Sequence, residues 1–156
     1  MHTKIFKMDQ RKRANWEQSK WICLSSLLFL IPAYYSYRIR YYHYSFILIL
    51  ITIVSINYWR NPLYSLRRTM DYILAVSFNI WITLLAVIYI REPILFVSFW
   101  GIYCVLIYCN HMSGVFLDKE DENWWKYHVI CHFCEIYGLC VTLYCLPLLE
   151  TVLVVL

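Results

Sequence analysis

The chain has 156 residues, of which 62% are hydrophobic and 15% charged, against roughly 45–50% and 25% in soluble globular domains. Its formal charge of +4 sits in the amino-terminal tail and between apolar runs, the distribution of topology determinants and headgroup contacts, not of a nucleic-acid surface. Three glycines and four prolines exclude a flexible linker, a Gly-rich phosphate loop and a low-complexity tract.

A mean hydropathy of +0.53 and several long apolar runs predict one all-α polytopic membrane domain, with membrane lipid as its surroundings and no nucleic-acid partner. The seven cysteines are an odd number. Cys23, Cys104, Cys131, Cys140 and Cys145 fall in or beside apolar runs, which predicts small apolar fillers and not a disulfide framework.

In chain order, residues 1–20 read as a basic cytosolic tail, with Phe6 and Trp16 placed to touch lipid. Positive charge before an apolar run is also the mark of a cleaved signal peptide. The Pro-Ala-Tyr-Tyr at 32–35 makes a poor cleavage site, however, so the tail is expected to stay. Five spanning helices are expected within residues 21–145. The first, Trp21–Tyr37, and the second, Tyr44–Trp59, are joined by Arg38, Arg40 and a cluster of interfacial tyrosines. The third, Asp71–Ile90, and the fourth, Pro93–Cys109, are separated only by Arg91-Glu92 and must form an antiparallel hairpin. Pro93 suits a first helical turn, where its missing N–H is no loss. The fifth is Lys126–Cys145, ended by Pro147. Residues 146–156 form an apolar tail too short to span, which would lie at the interface, pack back on the bundle, or be the stub of a lost sixth helix. Runs of about 16–17 residues favour a thin membrane such as the endoplasmic reticulum.

Lys and Arg counts set the orientation. Eleven fall in the tail, the 60–70 loop and the 110–126 loop, and three (Arg38, Arg40, Arg91) fall on the other side. The amino terminus is therefore expected in the cytosol. That topology puts Ser55, Asn57 and Trp59, Asp71, and His128, His132 and Glu135 in the cytoplasmic leaflet, where ionisable groups are expensive.

His128 and His132 are four residues apart on one helical face, with Glu135 three further on. Two such imidazoles can reach one metal, and a third ligand would complete an open zinc site whose bound water is made acidic. Asp71 is the candidate for that ligand, or for the group orienting it. Ser55 could hydrogen-bond the water or a substrate oxygen. The same residues have plain structural readings: the histidines as interhelical hydrogen bonders, and Asp71 as a carboxylate at a positive helix end. Cys131 and Cys134 read CxxC inside an apolar helix, which suits filler better than redox chemistry.

Ser55-Ile-Asn-Tyr-Trp59, Arg68-Thr-Met-Asp71-Tyr72 and His128-Val-Ile-Cys-His132 together resemble the motifs of the superfamily that contains the alkaline ceramidases and the progestin/adiponectin-type receptors. The resemblance covers roughly residues 45–75 and 124–138. It implies a zinc site in a seven-helix fold and hydrolysis of lipid amides or esters, with His128, His132 and Asp71 at the metal and Asp71 and Ser55 in catalysis. Two features depart from that pattern: Trp59 stands where the first zinc histidine would be, and only five spans are evident. The expectation is a divergent, shortened relative. The alternative is a non-enzymatic membrane protein that binds lipid or partner helices, including those of a second copy.

Overall fold

The computed structural model describes residues 14–155, with side chains as far as Pro147. Residues 1–13, most of the expected basic tail, lie outside the described residues. Among the described residues the protein is all-helical, with six helices: α1 (Trp16–Leu27), α2 (Leu30–Arg38), α3 (Tyr42–Trp59), α4 (Leu66–Tyr89), α5 (Pro93–Asp118) and α6 (Trp124–Val155). Four of these, α3 to α6, are long and apolar enough to cross a membrane, which makes this an integral, multi-pass membrane protein.

The first expected span is built in two pieces. Pro32 has no N–H to offer the Leu28 carbonyl, which instead accepts from Ile31 N at 3.0 Å. Leu28 N and Phe29 N likewise turn back to Ser25 and Ser26 at 3.1 and 3.2 Å, the tighter i→i−3 pattern. α1 itself opens on a reciprocal cap: Gln18 N donates to Asn15 Oδ1 at 2.9 Å, and Asn15 N donates to Gln18 Oε1 at 3.2 Å.

α2 and α5 end alike. In each, the second residue past the last helical turn, Arg40 (φ 67°) or Glu120 (φ 58°), is left-handed. Tyr41 N then reaches Ser36 O and Asp121 N reaches Phe116 O, both at 2.9 Å, which closes a Schellman turn on a residue other than glycine.

Two boundaries differ from expectation. α5 runs past Cys109 to Asp118, because Asn110, His111 and Ser113 interrupt its apolar run without interrupting its backbone. Pro147 does not end the last helix: α6 continues through it to Val155, so the segment expected to be a separate tail begins as helix. A proline removes a single i→i−4 bond, and a long helix tolerates this as a local kink. The 18 residues of α3 span only ~27 Å, whereas the 24 of α4 reach ~36 Å.

The main core joins α2, α3, α4 and α6 through Ala33, Leu48, Ile51, Phe78, Ile82 and Leu143. A second cluster, Ala86, Ile90, Phe99, Val141 and Cys145, clamps the α4–α5 hairpin onto α6. There Gly138 lets the helices close up: a Cβ on it would stand 3.3 Å from the Phe99 ring. Away from the hairpin, α4 leans on α3 and α6 while α5 leans on α6. The two arms are hardly in contact, and the space between them is the functional candidate.

Candidate functional site: a cavity between the hairpin arms

That space is a cavity of about 450 Å³, within the usual size range of small-molecule sites. Ser55, Asp71, His128 and His132 all line it, together with Trp59 and Glu135. Ser55 comes from α3, Asp71 from the second turn of α4, and the histidines from the first third of α6. Additional polar groups that the sequence did not single out line it too: Asn79 on α4, and Asn110 and Ser113 on α5. Its flank between α4 and α5 is apolar, with Val76, Ile80 and Ile107 lining the cavity and also exposed at the surface.

The two imidazoles stand edge to face with ring centroids 5.0 Å apart. His132 is 7% exposed and is held on two sides: its Nδ1 lies 2.7 Å from Ser25 Oγ, and Phe29 meets its ring at 5.5 Å. Both partners come from the α1–α2 break region, so the interruption at Pro32 shapes the cavity wall. Ser25 Oγ also reaches Ile22 O at 3.0 Å, and that carbonyl accepts Ser26 Oγ at 2.8 Å. Ser26 in turn meets Ser55 at 3.1 Å. A chain of hydroxyls thus runs behind the wall, and Ser55 belongs to it.

His128 packs against indoles. Trp59 lies 4.9 Å and Trp124 6.3 Å from its ring, and the two indoles are 5.9 Å apart. Trp59 is 1% exposed, one of the largest fully buried side chains of the bundle. An indole offers no lone pair to a metal, so the aromatic rings beside His128 supply no ligand. Among the described residues no three of His, Cys, Asp and Glu gather closely enough to hold a metal ion. The donor set among the described residues does not fit a three-histidine zinc centre.

Deeper in the cavity Asn79 Nδ2 donates to Glu135 Oε1 at 2.8 Å. This bond sets the register of α4 against α6. Asp71 is eight residues before Asn79 and His128 seven before Glu135, about 12 and 10.5 Å along their axes, so Asp71 and His128 stand at nearly the same depth. All seven cysteines are unpaired as disulfides, and Cys109, Cys131, Cys134 and Cys145 are buried, in the role of compact apolar filler.

Comparison with known proteins finds no matching family model, no similar curated protein and no similar solved structure.

Proposed function

We propose that the protein binds a single membrane lipid, admitted sideways between α4 and α5, with its polar part among Arg68, Asp71, Asn110 and His128 and its chain along Val76, Ile80 and Ile107. One observation carries this reading: the large cavity of a membrane bundle has polar groups at the end assigned to the cytosol and an apolar flank towards lipid. Lipid chains enter such a slot without leaving an apolar environment, so selectivity rests on the few polar groups at its mouth.

The test is a photoactivatable phospholipid mixed into vesicles holding the full chain. Gly114 lines the cavity, and a Cβ there meets no atom within 4 Å, so Gly114→Trp is the substitution chosen to obstruct it, with melting of the variant followed to establish folding. Labelling of α4 and α5 should fall at least about tenfold in that variant. Equal labelling of wild type and Gly114→Trp, both folded, rules the cavity out as the lipid site.

A second reading is metal-assisted hydrolysis of a lipid amide or ester by a divergent relative of the ceramidase and receptor superfamily. It is favoured by His128, His132, Asp71 and Ser55 lining one cavity. It requires an ion to draw the two imidazoles and a carboxylate together. Zinc content of the purified protein, compared with a His128→Ala/His132→Ala variant, decides it: stoichiometric zinc lost in the variant supports it, and no zinc in either removes it.

A further inference from the structure

Glu135 and Asn79 lie at a depth where neither the lipid headgroup nor the histidines need them. Glu135 is eleven residues into α6, ~16 Å along the helix axis, close to mid-bilayer if α6 starts at the cytoplasmic surface. A carboxyl at that level is costly and calls for a role. The pair borders the main cavity and also two small neighbours, of about 20 and 30 Å³, and among the described residues only these two line all three. The two residues therefore stand at a junction of open space.

Their hydrogen-bond inventory is lopsided. Asn79 spends its amide hydrogens on Glu135 Oε1 at 2.8 Å and on Ala75 O at 3.2 Å. Asn79 Oδ1 and Glu135 Oε2 then have no hydrogen-bond partner among the described residues. Asn79 Oδ1 is an acceptor, and Glu135 Oε2 is one whenever the carboxyl is ionised. On the α5 side Tyr103 also lines the main cavity, and a single phenol cannot serve two acceptors at once.

We infer that Asn79 and Glu135 form a deep acceptor subsite of the cavity, which selects amphiphiles carrying a hydrogen-bond-donating group, an ammonium or a hydroxyl, and rejects those ending in a carboxylate. This rests on the reading of the cavity as a lipid site and adds the chemistry of the ligand's buried polar group. An ammonium, with three N–H groups, satisfies both oxygens, and a hydroxyl satisfies one of them. An anion would face a carboxylate across a water-poor gap, where like charges repel strongly.

The experiment uses the full chain in zwitterionic lipid nanodiscs, with fluorescence of Trp59 and the other indoles as readout. A long-chain primary amine, the matching alcohol and the matching carboxylate are titrated in turn. The amine and the alcohol should bind at least about tenfold tighter than the carboxylate. Glu135→Gln keeps the shape and removes the charge, and it should shrink the amine-over-carboxylate preference to about twofold. Asn79→Ala is the second variant, with thermal melting of both followed to establish folding, and it should weaken amine and alcohol alike. Equal affinity for all three amphiphiles in the wild type overturns the subsite and leaves the cavity reading standing, with water as the partner of the two oxygens. Discrimination that survives both folded variants overturns it as well. Failure of every amphiphile to bind the wild type removes the cavity reading itself.

Discussion

Ser25 and His132, 107 residues apart in the chain, meet with the serine oxygen 2.7 Å from the imidazole Nδ1. The contact ties the broken first helix to the centre of the last. It also decides which histidine nitrogen is free: with Nδ1 engaged, Nε2 remains for whatever occupies the cavity.

Removing that tie should loosen the imidazole more than the fold. Ser25→Ala is expected to cost about 1 kcal/mol, and Ser25→Thr, which keeps the hydroxyl, should recover most of it. Nitrogen NMR of labelled histidine provides the check, because the alanine variant should lose the single tautomer of His132. An unchanged His132 spectrum in Ser25→Ala would falsify the positioning role.

Trp59 packs 4.9 Å from the His128 ring, and an imidazole in its place would add a candidate third ligand beside the two histidines. Trp59→His should therefore raise zinc affinity about tenfold or more over the wild type, on the rule that an open zinc site takes three protein ligands. Titration against a competing chelator gives the number. Identical zinc affinities in the two proteins would show that position 59 cannot contribute a ligand beside His128.

The α5–α6 contact depends on a missing side chain. Phe99 is 3% exposed and is flanked by Trp100 and Tyr103 at 5.6 and 6.0 Å, so its ring cannot step aside for a bulky neighbour. Gly138→Leu should destabilise the protein by about 1–3 kcal/mol through overpacking, seen as a lower melting temperature in detergent. A melt no lower than the wild type's would mean the ring has room after all.

Two helix ends carry avoidable strain. Arg40 and Glu120 hold left-handed backbone that costs a side chain roughly 1–2 kcal/mol and glycine almost nothing. Arg40→Gly and Glu120→Gly should each stabilise the fold by about 1 kcal/mol, additively because they lie on opposite sides of the bundle. The melting curve of the double variant tests both at once.

Much of the architecture is legible in the sequence, since apolar runs of helical length leave a membrane chain few alternatives. The HxxxH spacing, Asp71 and Ser55 are legible for a related reason: polar groups are conspicuous against an apolar background. What stayed hidden depends on pairing across helices. Asn79 gains meaning only once Glu135 is opposite it, and Ser25 only once His132 is. Helix ends were obscured because the αL positions hold Arg40 and Glu120 in place of the glycines that usually mark them. Pro147 misled in the opposite sense, a strong stop signal that a long helix overrides. Pro32 was the legible sign of the divided first span, but an apolar run of ordinary length masked it.

The short link between α4 and α5 has a mechanical consequence. Ile90 is buried in the cluster with Phe99 and Val141, and Arg91 and Glu92 follow it directly into α5, so the two arms are riveted together at that end. Any widening of the gap between them has to be a scissoring about the rivet, greatest at the far tips near Arg68 and Gly114. Over an arm of ~36 Å, a swing of only about 10° parts the tips by about 6 Å, roughly the girth of one hydrocarbon chain.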